Sequence, residues 1–340
     1  MEILLGLLII AVGSFCQSSS YVPINKVKQW SWESYWLVQG LFAWIVFPLI
    51  GAMIAMPEGW SILDLIAMEG AGKAVFYGML WGVGGLTFGL SMRYLGVALG
   101  QSIALGTCSG LGTLLPAIFA GENLFRGEGL ILLIGVAITL AGIAVIGYAG
   151  SLRSRVMSEE DRRAAIKDFA LTKGLAVALL AGLMSACFNL GLEAGSGISE
   201  EFAQMGTSDL FVTLPATLLV TLGGAITNIV YCLYQNARNK SFGDYAKGSV
   251  WANNLVFCAL AGLLWYSQFF GLAVGKTFLA SSPAMLAFSW SILMSLNVIF
   301  SNVWGLILKE WRGVNTKTIV TLLSGLAILI FSLIFPSLFN

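Results

Sequence analysis

Long apolar runs alternate with short polar breaks along the whole chain, and ten of the runs are long enough to cross a bilayer. A crossing helix needs about 20 predominantly apolar residues to span about 30 Å of hydrocarbon. The runs fall at 2–20, 34–55, 74–92, 97–119, 128–149, 174–194, 210–233, 251–273, 281–306 and 318–337. One stretch, 58–72, has a different rhythm. There Glu58, Asp64 and Glu69 alternate with Trp60, Ile62, Leu63, Leu65 and Ile66, which predicts a short helix lying in the membrane interface. The pattern therefore predicts an all-α integral membrane protein with ten transmembrane helices.

Composition narrows the class. Hydrophobic residues make up 58% of the chain, charged residues only 10%, and the mean hydropathy is +0.86. A soluble globule has about a quarter of its residues charged, so much of this surface must face lipid. A net charge of +1 argues against a nucleic-acid partner. The five cysteines lie inside apolar runs without metal-type spacing, and the chain has no histidine, so neither a disulfide framework nor a metal or cofactor site is expected. Glu2 and the lack of a basic segment before the first apolar run argue against a cleaved signal peptide. An enzyme would want a nucleophile with a base, or paired carboxylates. No such set is visible, so the chain is not read as an enzyme.

The basic residues orient the helices. Fifteen of the eighteen Lys and Arg residues fall in the loops after spans one, three, five, seven and nine, six of them (Arg153, Arg155, Arg162, Arg163, Lys167 and Lys173) in the central loop. The opposite loops hold only Lys73, Arg126 and Lys276. Cytoplasmic loops carry the Lys/Arg excess, so both termini are expected outside. The central charged segment also divides the chain into a first five-helix repeat over 1–150, a cytoplasmic linker over 151–173 and a second, inverted five-helix repeat over 174–340. Ser14-x-Cys16 is matched by Ser185-x-Cys187, Gly78-Met79-Leu80-Trp81 by Gly262-Leu263-Leu264-Trp265, and 132–138 by 322–328, in the same order. Inverted repeats are characteristic of secondary transporters.

Ionisable groups inside a membrane are costly and mark function. Every span except the sixth can be drawn with its middle free of charge, and Glu193, towards the outer end of span six, is the candidate proton-coupling residue. The other deep polar groups are neutral. Gln101, Asn189 and Gln268 offer donor and acceptor together, and Trp81, Trp265 and Trp290 can stack on the apolar face of a sugar ring. These six are the candidate substrate-binding residues. A neutral, aromatic-walled cavity suits a small sugar and suits phosphate or nucleotide poorly. Trp30, Trp32, Trp36, Trp60, Trp251, Trp304 and Trp311 lie near span ends and read as interfacial anchors. Gly96, Gly100, Gly106, Gly110 and Gly112 line span four for close helix contact. Pro48, Pro116 and Pro215 are candidate kinks.

Several strings carry a family resemblance. Tyr21-Val22-Pro23-Ile24-Asn25-Lys26-Val27-Lys28-Gln29-Trp30-Ser31-Trp32-Glu33, Gly89-Leu90-Ser91-Met92-Arg93-Tyr94-Leu95-Gly96 and Gly262–Phe270 resemble the L-rhamnose–proton symporters, as do Asp209–Pro215 and Gly305–Trp311. That family belongs to the drug/metabolite transporter superfamily. The resemblance implies ten helices as a 5 + 5 inverted repeat. It also implies proton-coupled L-rhamnose uptake across the bacterial cytoplasmic membrane, with the sugar, the proton and the lipid bilayer as partners. A drug or metabolite exporter on the same scaffold is the alternative.

Overall fold

A computed structural model of the chain describes residues 2–95, 97–156 and 170–339. Gly96, the greater part of the charged linker and its Arg162, Arg163 and Lys167 lie outside these residues. Among the described residues ten helices are long and apolar enough to cross a membrane: α1 (Glu2–Ile24), α2 (Trp32–Ala55), α3 (Ala71–Leu95), α4 (Leu99–Phe119), α5 (Gly127–Val156), α6 (Leu171–Gln204), α7 (Leu214–Asn239), α8 (Gly248–Leu279), α9 (Pro283–Ile307) and α10 (Thr316–Phe339). Each contains its predicted apolar run or most of it, but α5, α7 and α8 run several residues further. The long helix of α6 ends at Ala194 as its run does, and a second helix, Ser196–Gln204, follows the turn at Gly195. Hydropathy marks the length bathed in hydrocarbon, whereas the helix continues wherever its backbone can still bond to itself. Large side chains such as Val12, Met53, Val230 and Val256 are each more than half exposed. On a water-soluble protein such a surface would aggregate, and in lipid it is the expected exterior.

The interfacial segment is also helical, over Ile62–Ala67, and starts on a capping box in which Ser61 and Asp64 bond each other's backbone and side chain. Leu65 is buried while Leu63 and Ile66 stay exposed. That split leaves an apolar face for the membrane surface. The prolines act in two ways. Pro215 sits in the first turn of α7, where its missing N–H costs nothing, so it starts that helix rather than kinking it. Pro48 lies just after a π-turn over Phe42–Val46 in α2. Its ring crowds the carbonyl one turn back, and the preceding turn widens by one residue to accommodate it.

The chain folds as two compact units, each drawing on both halves of the sequence. One comprises Met1–Leu7, Val83–Leu190 and Phe278–Asn340. Its core packs Ile143, Ile146, Val298, Leu322, Leu326 and Leu329 from α5, α9 and α10. Helices α5 and α10 approach closely because Gly142 and Gly325 lack a Cβ. One on Gly325 would fall 3.0 Å from the Ile146 nitrogen, and one on Gly142 would fall 2.7 Å from the Leu329 side chain. Helices α4 and α9 are tied by Ser291, whose hydroxyl lies 3.0 Å from that of Ser109 and 2.9 Å from that of Thr113. In lipid there is no hydrophobic drive between helices, so such close packing and hydrogen bonds carry the association.

The other unit comprises Leu8–Gly82 and Gly191–Thr277. Helices α3 and α7 meet through a reciprocal glycine pair, Gly78 against the Val220 carbonyl and Gly223 against the Val75 carbonyl. Gly262 of α8 lies on α2 beside Phe42 and the Gln39 carbonyl, and Gly13 of α1 lies on the Ser267 carbonyl of α8.

At one end of this unit the loop 25–31 is strapped to the α7–α8 connection. Asn254 bonds both the N–H and the carbonyl of Lys28, at 2.9 and 2.8 Å. The Asp244 carboxylate accepts from the Ser31 N–H at 2.7 Å, from the Ser31 and Ser34 hydroxyls at 2.6 and 2.9 Å, and from Lys247 Nζ at 2.6 Å. Glu33 accepts from Ser241 at 2.6 Å and from Asn239 at 3.0 Å. Burial pushes the Asp244 carboxyl upward, but the bonds from Lys247, Ser31 and Ser34 outweigh it and hold it well below the usual carboxylate range. Two of the expected interfacial anchors prove to be packing residues. Trp30 is buried edge-on to Tyr245 and Trp251, and Trp311 is buried beneath the Arg153 guanidinium, which also pairs with Glu310.

Candidate carrier site

The second unit gathers a continuous group of aromatic rings. Trp265 of α8 is its hub, 5.7 Å from Trp81 of α3, 6.4 Å from Trp44 of α2 and 5.1 Å from Phe269 one helical turn along. Trp44 also meets Trp36 at 5.8 Å, and Trp36 stacks on Trp32 at 5.4 Å. The Trp36 indole N–H donates to Asn228 Oδ1 at 3.1 Å, and Asn228 in turn donates to the Gly224 carbonyl. Trp81 lies directly against Gly224, where any side chain would collide with the indole. The predicted Gln268 is buried and donates to the Trp265 carbonyl at 3.2 Å. Three of the six expected binding residues, Trp81, Trp265 and Gln268, are therefore brought together.

Phe269 joins this group to a cavity of about 110 Å³ lined from α6, α7 and α8. That is several times the space one water needs but below the 300–1,000 Å³ usual for ligand pockets. Glu193 lines it, exposed on α6, and the half-buried Lys276 of α8 lines it as well. The hydroxyl residues Ser196, Ser199, Thr213 and Thr217 complete its polar lining, with Phe269, Leu272 and Ala273 on the apolar side. The helix end beneath Lys276 is fixed by Thr277, whose hydroxyl donates to the Asp209 carbonyl at 2.9 Å.

The other three expected residues lie in the first unit and group around α4. Trp290 is buried, stacks on Phe188 at 5.8 Å and donates to the Cys108 carbonyl at 3.3 Å. Asn189 donates to the Gly112 carbonyl at 2.8 Å, while its Oδ1 is buried without a hydrogen-bond partner. Gln101 sits half-buried on the same helix. Gly112 faces the Trp290 indole so closely that a Cβ would strike it, which gives one glycine of span four a specific packing role.

Three tryptophans of the aromatic group are not singled out by the sequence: Trp32 and Trp36 read as interfacial from their place near a span end, and Trp44 sits unmarked inside an apolar run. The π-turn over Phe42–Val46 contains Trp44, and its indole N–H is buried with no hydrogen-bond partner. Pro48 is the one sequence signal that pointed there.

Ten apolar helices with an aromatic, amide- and hydroxyl-lined interior and a carboxylate at a cavity define a multi-pass membrane carrier rather than an enzyme. The chain belongs to the L-rhamnose-proton symport protein (RhaT) family, which it matches over residues 1–336. It is 34% identical over 336 residues to proteins named L-rhamnose-proton symporter from Yersinia pestis (strain Pestoides F) and from Yersinia pseudotuberculosis serotypes O:1b and O:3, covering 96% of this chain and 95% of theirs. It is a transporter of the bacterial inner membrane.

Proposed function

We propose that the protein imports L-rhamnose, or a similar deoxysugar, together with a proton by alternating access. The carrying observation is the match to the symporter family along almost the entire chain. Trp81, Trp265 and Gln268 form the sugar-recognition set, in which indole faces meet the ring and the amide meets its hydroxyls. Gln101, Asn189 and Trp290, the other expected binding residues, lie in the first unit, where the Trp290 indole is committed to Phe188 and the Cys108 carbonyl. Glu193 takes the proton. Both termini lie outside, and 1–150 and 174–340 are inverted repeats joined by the 151–173 linker. This is supported by Gly78 and Gly262, which occupy matching repeat positions and both serve close helix contacts.

Purified protein in proteoliposomes should accumulate labelled L-rhamnose when an inward proton gradient is imposed, and lose this with a protonophore. If no sugar accumulates while cationic dyes are extruded, the exporter reading replaces this one. Alanine in place of Trp81, Trp265 or Gln268 should raise the half-saturating sugar concentration by about 5-fold, the size expected for one aromatic or hydrogen-bond contact. Trp265→Phe should recover part of the loss. Unaltered half-saturation in all three alanine variants would make them packing residues only.

A further inference from the structure

We infer that Lys276 places the transported charge on the sugar-loaded carrier, by neutralising the Glu193 carboxylate when the carrier is empty. The inference rests on the reading of Glu193 as the proton-binding residue. Glu193 of α6 and Lys276 of α8 are the two charged residues among those lining their shared cavity. The other polar lining groups are hydroxyls, and that of Thr217 is already committed to the Thr213 carbonyl at 2.9 Å. Among the elements packed around it, the start of α3 brings Lys73 and the loop before α7 brings Asp209, neither of which lines the cavity.

An unpaired charge reorients slowly through a low-dielectric interior. With Lys276 lining the same cavity, the empty carrier presents a carboxylate and an ammonium that sum to zero. When a proton from the outer water bonds to a Glu193 oxygen, the carboxyl is neutral and the ammonium remains, so the sugar-loaded form carries one positive charge inward. Release of that proton to the inner water restores the neutral pair. Membrane potential then acts on the loaded step, and the empty carrier returns without regard to it. Without Lys276 the same cycle still moves one charge, but as a bare carboxylate on the return.

Exchange of labelled for unlabelled L-rhamnose, at equal sugar and equal pH on both sides, uses only the loaded carrier and so isolates that step. In proteoliposomes clamped with potassium and valinomycin, wild-type exchange should change by about 5-fold between zero and 100 mV. A full charge over that range is equivalent to about 50-fold. Lys276→Arg should keep the dependence, and Lys276→Gln and Lys276→Met should lose it. Potential-insensitive exchange by the wild-type protein overturns the inference without any variant, and so does wild-type sensitivity in Lys276→Gln or Lys276→Met. Glu193→Gln separates the two layers. If it still accumulates sugar, the proton reading of Glu193 fails and this inference with it. If it accumulates none while the Lys276 variants exchange as the wild type does, only the role of Lys276 fails.

Discussion

Glu193→Gln is expected to bind and exchange L-rhamnose but to accumulate none. A proton moving down 100 mV supplies about 2.3 kcal/mol, enough for roughly 50-fold accumulation. Glutamine keeps the size and hydrogen-bonding reach of the side chain and removes its ability to take up and release that proton. The internal-to-external sugar ratio should therefore fall from about 50 to about 1, measured as steady-state uptake under an imposed potential. A ratio that stays high would assign the proton to another group.

The second large effect concerns the strap at the α7–α8 connection. Asp244→Ala removes the acceptor shared by Ser31, Ser34 and Lys247 and leaves their donors around an empty site. Asp244 is buried but the Lys247 side chain is partly exposed to water, so the ion pair itself is screened and adds little. Losing the acceptor of the Ser31 and Ser34 hydrogen bonds costs about 2 kcal/mol, so thermal unfolding in detergent should move down by about 4 °C. The pH dependence has a defined sign. The Asp244 carboxyl is depressed in the folded protein, so its contribution is complete above the unfolded aspartate value of about 3.9 and fades as pH falls below it towards the folded value. The unfolding temperature of the wild type should decline on this account only below about pH 4. Asp244→Asn should be less stable at neutral pH and show a shallower acid limb. An Asn variant as stable as the wild type at pH 7 would show that the strap does not need the charge.

The spans were legible because a run of twenty apolar residues has few other uses, and the interfacial helix because the carboxylates of Glu58, Asp64 and Glu69 interrupt a short apolar stretch too brief to span. Trp81, Trp265, Gln268 and Glu193 were legible as polar or aromatic groups at depths where lipid-facing positions would carry aliphatics, and all four fall in one unit. Trp290 was singled out on the same ground, yet its indole is spent on Phe188 and the Cys108 carbonyl. Depth selects a residue type without saying what fills its contacts. Trp44 was hidden because its direction depends on a one-residue offset inside α2, which hydropathy does not register. Glu33 and Asp244 were hidden for another reason. Charges at helix ends are ordinary in membrane proteins, and the partners that bury these two lie more than 200 residues away along the chain.

The π-turn before Pro48 is, in terms of chain length, a single extra residue housed without lengthening the helix. An α-helix advances about 100° per residue, so removing one residue from Phe42–Val46 would restore ordinary winding and rotate one flank of α2 against the other by about that angle. Trp44 would then leave Trp265, or Gly51 would turn away from the Tyr266 hydroxyl that now lies against it. The two ends of α2 thus face α8 in a phase relation that only this residue count allows. Any aligned chain of different length here should differ by one gap, placed between Leu41 and Pro48.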